Sequence, residues 1–160
     1  MKIFETMAKM GHENLVYMYD EETGLKGIIA LHDSTLGPAL GGTRFYDYDS
    51  EEDALYDVTR LSRGMTYKNA AVGLHAGGGK AVIIGDAKKL KNKAFLRKYG
   101  EFVASLGGKY YTAEDMNINE EDVEIIGETN PYVVGRKDIS GNPSPFTALG
   151  VYEGVKATAK

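Results

Sequence analysis

The stretch "HAGGGKAVIIGD", residues 75 to 86, decides the fold of this chain. The residues that follow Lys80, from Ala81 to Gly85, are continuously apolar, which is typical of a strand in the middle of a sheet covered on both faces. Three glycines come directly before Lys80, so no side chain projects from the backbone on the approach to this cation. We therefore expect a pocket where this buried strand begins.

Three further strands are predicted on either side of this stretch. "NLVYMYD" (14 to 20) and "LKGIIALHD" (25 to 33) are rich in residues that favour strands. They are separated by "EETG", in which Gly24 supplies the positive φ of a tight turn. "KYYTAED" (109 to 115) predicts a further short strand, which ends at its two carboxylates.

A long helix is predicted after Ser50, a residue type that caps helix N-termini. Its apolar residues recur at helical spacing on one face: Ala54, Val58, Leu61 and Met65. Three residues further on, the same stripe reaches Lys68, which places a cation where the inward face should continue. Other helices are predicted over residues 92–107, with Gly107 as the stop, and after the capping residue Asn119.

Because strands and helices alternate along the chain, the sequence predicts an α/β fold. We expect one domain over residues 1–160, a three-layer sandwich with a mixed, mostly parallel central sheet flanked by helices. "GPALGG" (37 to 42) and "GNPSPF" (141 to 146) are expected to be loops, because proline lacks an amide donor and glycine permits unusual backbone angles. The last helical segment, from Thr147, is still running at Lys160, so we expect the natural protein to continue beyond it.

Composition bounds the partners and the compartment. The 160 residues carry a net charge of -4, which indicates neither a nucleic-acid nor another polyanionic partner. Cysteine is absent, which fits the reducing cytoplasm. The longest apolar runs are too short to cross a bilayer, and the N-terminus lacks the apolar core of a signal peptide, so we expect no membrane partner.

Common ligand-binding motifs fail at specific positions. A phosphate-binding loop around Lys80 would need glycine at Leu74 and a hydroxyl side chain at Ala81. A calcium loop starting at Asp115 would need glycine at Glu120 and glutamate at Ile126. The three histidines lack metal-ligand spacing and are interpreted as surface or hydrogen-bonded core residues: His12, His32 and His75.

Two lysines and one carboxylate remain as candidates for chemistry. Taken singly, Lys80 is a strand-edge lysine, Lys68 is a cation that favours a helix C-terminus, and Asp115 is a turn residue. Together, at the ends of elements whose other residues point inward, they predict a shared pocket. Two cations in one half-buried pocket disfavour each other's charge, so the pKa of one lysine should fall and allow it to act as a base.

Five segments of the chain resemble a known family of enzymes: "LGPALGGTR", "RLSRGMTYKNA", "GGGKAVIIGD", "YTAED" and "GNPSPFTALGV". They are similar, in order and spacing, to the N-terminal domain of the amino-acid dehydrogenases that act on leucine, valine and phenylalanine, relatives of glutamate dehydrogenase. The resemblance extends from about Asn14 to Lys160 and is closest to the leucine enzymes. It implies reversible oxidative deamination of an L-amino acid to the 2-keto acid and ammonia.

The resemblance also implies roles for individual residues. Lys68 matches the lysine that holds the substrate α-carboxylate, Lys80 the base toward the attacking water, and Asp115 the carboxylate that exchanges protons with the amine. Five further residues match positions that lie against the substrate: Leu40, Gly41, Gly42, Met65 and Ala113. Glycines 77–79 would then let substrate and nicotinamide approach the main chain.

The resemblance implies partners that this chain does not contain. The family binds NAD mainly through a second domain, a Rossmann fold, which lies outside this sequence, so we expect the chain alone to be inactive. A homo-oligomer is expected, because this domain carries most subunit contacts in the family. The alternative is a non-catalytic module that binds amino acids or only assembles. One departure from the family is "MNIN" (116 to 119), where a glycine-threonine stretch usually follows Asp115 and where Asn117 would have to accept left-handed geometry.

Overall fold

A computed structural model describes residues 2–137, 141 and 143–159 of the chain. Within these residues, six strands form one sheet: β1 (Asn14–Asp20), β2 (Leu25–Asp33), β3 (Ala39–Leu40), β4 (Thr43–Tyr46), β5 (Gly77–Ile84) and β6 (Tyr110–Tyr111). Six helices in the same ranges accompany it: α1 (Ile3–Met10), α2 (Glu51–Ala71), α3 (Ala87–Leu90), α4 (Lys93–Ser105), α5 (Glu120–Gly127) and α6 (Ser144–Thr158).

The sheet is mixed, as expected, and β5 lies at its centre. In the described chain the strand order is β1-β2-β5-β3-β6, and β4 also pairs with β5. β1 and β2 form the expected antiparallel hairpin with Gly24 at a φ of 74°, and β2 runs antiparallel to β5. The pairings of β5 with β3, β5 with β4, and β3 with β6 are parallel. Parallel pairings are therefore more numerous, whereas the antiparallel ones are longer.

Two hydrophobic clusters, one on each face of the sheet, make the three layers. Ala81 and Ile83 of β5 pack into a cluster with Phe95 and Tyr99 of α4. Between them in sequence, Val82 packs into the other cluster with Ala54, Leu55 and Val58 of α2. Because successive residues of β5 enter opposite clusters, both faces of this strand are buried, which explains its continuous apolar sequence.

Four boundaries differ from the sequence predictions. Ala39 and Leu40, expected in a loop, form β3, because Pro38 precedes this strand and leaves its amides free to pair. The three glycines before Lys80 belong to β5 itself, and "KYYTAED" forms a strand only at Tyr110–Tyr111. Helix α6 begins at Ser144, inside the second expected loop, while Asn142 and Lys160 lie outside the described residues.

The buried face of α2 also differs from the predicted apolar stripe. It runs through Thr59, Ser62 and Asn69, whereas Leu61 and Met65 are only partly buried. The Asn69 side chain donates a hydrogen bond to the Gly77 carbonyl at 2.7 Å, so this polar residue is satisfied within the sheet. Lys68 and Met65 consequently lie on the flank of the buried face. No helix in the described ranges has both the length and the apolar character that a membrane span requires.

Candidate active site

A cavity of about 1190 Å³ lies beside the start of β5. It is bordered by the end of β3, the second half of α2, the segment after β6 and the start of α6. All eight site residues predicted from the sequence line it: Leu40, Gly41, Gly42, Met65, Lys68, Lys80, Ala113 and Asp115. The fold thus brings together residues that are separated by up to 75 positions in the chain.

Lys80 is a buried cation within the central strand. Its side chain is only 8% exposed, and its Nζ lies 3.1 Å from Oδ2 of Asp115. Burial, the largest effect, lowers the pKa of Lys80, while the negative charge and hydrogen bond of Asp115 oppose that effect. The positive charge of Arg44 adds to the lowering. The net direction favours a neutral amine at a lower pH than for a solvated lysine.

Asp115 forms ion pairs with Lys80 and Arg44, which keep its carboxylate ionised. Burial alone would raise its pKa, but the charges and hydrogen bonds of Lys80 and Arg44 outweigh that effect and hold the pKa below its ordinary value. The turn that presents Asp115 is closed by a hydrogen bond from the Ile118 amide to the Asp115 carbonyl at 3.0 Å. A charged carboxylate and a lysine of lowered pKa are therefore held in contact within one cavity.

The departure at "MNIN" is accommodated by Asn117. This residue adopts a φ of 61°, the left-handed region that glycine enters freely and asparagine tolerates. Its side-chain amide donates a hydrogen bond to the Phe45 carbonyl at 2.9 Å, which ties the turn to the end of β4. Asn117 thus provides both the backbone geometry and an anchor for the segment that follows Asp115.

Lys68 lines the cavity from the last turn of α2, with its side chain exposed. The sequence interpretation attributed the lowered pKa of one lysine to repulsion between Lys68 and Lys80, with burial adding to it. In the structure, Arg44 is the cation that adds to the effect of burial on Lys80. Lys68 is left free to meet a ligand, because its ammonium is not enclosed by the protein.

Arg44 and Asp57 are the site-associated residues that the sequence interpretation missed. Arg44, on β4, donates from Nε to Asp115 Oδ2 at 3.1 Å and from a terminal nitrogen to Asp57 Oδ2 at 2.8 Å. Asp57, on α2, also accepts a hydrogen bond from the Tyr48 hydroxyl at 2.9 Å. Arg44 ends the segment "LGPALGGTR", so a signal was present, whereas nothing in the sequence distinguishes Asp57 from other acidic residues of its helix.

Gly41 and Gly42 line the cavity because the chain around them is tightly packed. A Cβ on Gly41 would lie 1.8 Å from the Gly79 carbonyl oxygen. A Cβ on Gly42 would lie 2.2 Å from the Glu114 carbonyl oxygen. The hydroxyl of Tyr110 donates a hydrogen bond to the Gly41 carbonyl at 2.6 Å and holds this backbone in place. A rigid main-chain edge therefore borders the cavity.

The expected reason for the glycines before Lys80 is wrong. Each of the three is buried, and each added Cβ would meet protein rather than the cavity. At Gly78 the nearest atoms are the side-chain oxygen and the amide nitrogen of Thr66, at 2.0 and 2.3 Å. At Gly79 they belong to the Tyr110 ring, at 2.8 Å, and to the Ala39 Cβ, at 3.0 Å. The glycines allow α2 and the neighbouring strands to approach β5, which brings Lys68 and Lys80 to one cavity.

The histidines lie outside this cavity. His12 and His32 are buried with ring centroids 4.9 Å apart, whereas His75 is exposed. His12 Nε2 contacts the Ser62 hydroxyl at 2.7 Å, and His32 Nε2 donates to the Met10 carbonyl at 3.0 Å. Among the residues that the structure describes, no group of three or more histidine, aspartate or glutamate side chains is arranged to hold a metal ion.

Comparisons with known proteins identify related sequences and structures. Residues 12–132 match the family model described as "Glu/Leu/Phe/Val dehydrogenase, dimerisation domain". The whole chain is 55% identical to leucine dehydrogenase from Bacillus subtilis, and 94% of it is 49% identical to valine dehydrogenase from Streptomyces virginiae. The crystal structure of L-tryptophan dehydrogenase from Nostoc punctiforme matches 98% of the chain at 48% identity, with a TM-score of 0.84.

The chain is shorter than these relatives. It spans 45% of the Bacillus subtilis protein, 43% of the Streptomyces virginiae protein and 44% of the Nostoc punctiforme structure. The aligned portion includes the cavity and all eight of the residues predicted to line it.

Proposed function

The chain belongs to the Glu/Leu/Phe/Val dehydrogenase family, and from that membership we propose that it binds the substrate of an L-amino-acid dehydrogenase of the leucine and valine type. The proposed reaction is reversible oxidative deamination, in which an L-amino acid, water and NAD⁺ yield a 2-keto acid, ammonia and NADH. The chain contains no G-x-G-x-x-G motif, so NAD would be held mainly by residues outside it.

The substrate is proposed to lie between Lys68 and the apolar part of the cavity. The exposed ammonium of Lys68 is suited to bind the α-carboxylate, because a charge-assisted hydrogen bond is stronger than a neutral one. Leu40, Met65 and Ala113 would contact the aliphatic side chain. The main-chain edge at Gly41 would lie against the substrate backbone.

Lys80 and Asp115 are proposed to move the protons of the reaction. NAD, when bound, would accept the hydride. The cavity of about 1190 Å³ is larger than a usual small-molecule site of roughly 300–1000 Å³, so it leaves room for the nicotinamide beside the amino acid. Neutral Lys80 takes a proton from the water that adds to the substrate imine carbon. Ionised Asp115 takes a proton from the substrate ammonium and later returns it to the amino nitrogen, which leaves as ammonia when the C–N bond breaks.

The observation that carries this proposal is the contact between Lys80 and Asp115 inside the cavity that Lys68 also lines. The 3.1 Å separation and the 8% exposure of the Lys80 side chain support the proposal, because an amine and a carboxylate that can exchange protons lie together, largely out of bulk water. A lysine that merely ended a surface strand would extend into solvent and would keep its ordinary pKa.

Isothermal titration calorimetry of the 160-residue chain with L-leucine, L-valine and L-phenylalanine tests the binding step. We expect the aliphatic amino acids to bind more tightly than L-phenylalanine. The Lys68→Ala variant should lose about tenfold or more in affinity, since an ionic hydrogen bond contributes about 1.5–3 kcal/mol.

Lys26→Ala is the matched control, because Lys26 is an exposed lysine on β2 outside the cavity. It should leave the affinity unchanged. Equal binding by both variants would remove Lys68 from the site, and no heat of binding with any of the three amino acids would overturn the proposal for this chain. Binding that survives Lys80→Ala and Asp115→Asn, with no deamination by a longer form of the protein that also contains an NAD-binding domain, would favour the non-catalytic alternative.

A further inference from the structure

One carboxylate oxygen at the candidate site is shared by two cations. Oδ2 of Asp115 lies 3.1 Å from Lys80 Nζ and 3.1 Å from Arg44 Nε. None of the described residues hydrogen-bonds to the other oxygen, Oδ1, while the Asp115 side chain is 27% exposed and lines the cavity. The two cations therefore hold one oxygen and leave the other available to a ligand.

Arg44 is itself anchored on the side away from Lys80. A terminal nitrogen of its guanidinium donates to Asp57 Oδ2 at 2.8 Å, and the side chains of Arg44 and Asp57 are only 20% and 15% exposed. Asp57 in turn accepts from Tyr48, and its other oxygen accepts from Arg60 at 2.8 Å. A guanidinium held by two carboxylates in this way has little rotational freedom.

We propose that Arg44, anchored by Asp57, is a positioning residue for Asp115, and that it limits how strongly Asp115 holds the ammonium of Lys80. This inference rests on the proposed function, because it assigns the use of Asp115 Oδ1 and of neutral Lys80 to the amino-acid substrate. Arg44 orients Oδ1 toward the cavity by engaging Oδ2, and Asp57 keeps Arg44 in place.

Electrostatics explains why a second cation matters here. A carboxylate that already interacts with Arg44 offers less negative potential to the ammonium of Lys80 than one that is free. Among the described residues, the charges that act on Lys80 are those of Asp115 from the segment after β6, Arg44 from β4 and Asp57 from α2. The same cavity is also lined by Lys68, Glu114, Glu120 and Glu121. Arg44 lowers the pKa of Lys80, while Asp115 and Asp57 raise it.

Two substitutions at opposite ends of this network test the inference. Arg44→Gln removes the competing cation, so the pKa of Lys80 should rise. Asp57→Asn removes an anion and leaves Arg44 entirely to Asp115, so the pKa of Lys80 should fall. The readout is the pH titration of the Lys80 side-chain NMR signal in the 160-residue chain, assigned with Lys80→Arg.

The opposite signs separate positioning from simple structural support. Loosening of the site would admit water to Lys80 in both variants and would raise its pKa in both. Shifts of the same sign, or no shift in either variant, would overturn the inference. Arg44→Lys keeps the positive charge, so the pKa of Lys80 in this variant should lie closer to that of the unsubstituted chain than in Arg44→Gln. If Arg44→Gln does not fold, Arg44→Lys is the variant that is compared with Asp57→Asn.

A matched control and a second readout complete the experiment. Arg97→Gln removes an arginine whose ion pair with Glu128 is about half exposed, and it should leave the titration of Lys80 unchanged. Calorimetry with L-leucine on the same variants separates this inference from the proposed function. If L-leucine does not bind but the two pKa shifts of opposite sign appear, the proposed function fails and the role of Arg44 toward Asp115 stands. If L-leucine binds but the shifts are absent, the role of Arg44 fails and the proposed function stands.

Discussion

Lys80 is a buried lysine whose surroundings favour its neutral form. Its side chain is 8% exposed, and its only ion pair among the described residues is with Asp115. A buried ammonium is costly unless it is paired, so the lysine either keeps this partner or loses its proton. Because burial outweighs the partner here, the balance favours losing the proton as the pH rises.

We expect the pKa of Lys80 to lie below that of a solvated lysine, and the Lys68→Ala substitution to change it little. The reason is that burial and Arg44 cause the lowering, while Lys68 is exposed. Any step that uses neutral Lys80 should accelerate as the pH rises through this lowered pKa. Side-chain NMR titration measures the value directly. An ordinary lysine pKa would contradict the prediction, as would a large upward shift in Lys68→Ala.

His12 is a second residue whose protonation is disfavoured by the fold. Burial and the neighbouring His32 lower the pKa of His12 to about 4, and His12 Nδ1 is buried without a hydrogen-bond partner among the described residues. The unfolded chain has an ordinary histidine pKa of about 6.5 and therefore binds more protons than the folded chain between these two values. The contribution of His12 to the free energy of unfolding is therefore fully present above about pH 6.5 and is lost as the pH falls toward 4.

The expected loss between pH 6.5 and 4 is about 3 kcal/mol of unfolding free energy. Urea denaturation at several pH values measures it. His12→Gln keeps a donor for the Ser62 hydroxyl but cannot titrate, so its stability should depend less on pH over this interval. His75→Gln, at an exposed histidine, is the matched control and should preserve the slope. If the unfolding free energy changes equally with pH in both variants, the protonation of His12 is not coupled to folding.

At the scale of elements, the close approach of α2 to β5 forms the candidate site. Gly78 has no side chain, so Ser62 and Thr66 of α2 lie against its backbone. This contact sets the distance between the helix that presents Lys68 and the strand that presents Lys80. Small residues at such a crossing allow the two elements to approach closely, and any added atom would push them apart.

We expect Gly78→Ala to destabilise the chain by about 3 kcal/mol or more, because its Cβ would lie 2.3 Å from the Thr66 amide nitrogen. Leucine affinity should fall with it. Gly64→Ala is the matched control on α2, where an added Cβ meets nothing within 4 Å. That change should stabilise the chain by about 0.5–1 kcal/mol, since alanine favours helix. Thermal unfolding compares the two, and equal melting temperatures would contradict the packing argument.

The whole molecule exposes large apolar side chains on several elements. Phe4 on α1 is 84% exposed, Tyr19 on β1 is 65% exposed, and Phe146 and Val155 on α6 are 76% and 60% exposed. Exposed apolar residues in such number are typical of surfaces that meet another protein. The matched family model is described as a dimerisation domain, so self-association is the expected use of part of this surface.

We expect the chain to self-associate reversibly, with its mean mass rising as its concentration increases. Burial of exposed apolar side chains between copies provides the physical reason. Sedimentation velocity over a wide dilution series measures the distribution of species. A single monomeric species at every concentration would contradict the prediction for the chain as it stands.

Local sequence determined most of the secondary structure and the identity of the candidate site residues. Strand-favouring residues and glycine placement predicted the hairpin of β1 and β2 with its turn at Gly24, and capping residues predicted the starts of α2 and α5. Resemblance to a family supplied the eight residues that line the cavity. These features could be read from the sequence because each depends on neighbours along the chain or on a recognisable segment.

Tertiary structure alone decided how those residues contact one another. The sequence does not show that Gly78 receives α2, that Arg44 shares Asp115 with Lys80, or that Asp57 anchors Arg44. Each of these contacts joins residues distant in the chain, and its energy depends on a separation of a few tenths of an ångström and on local burial. A sequence specifies which groups are present, but their charges and clearances are set only when the elements have packed.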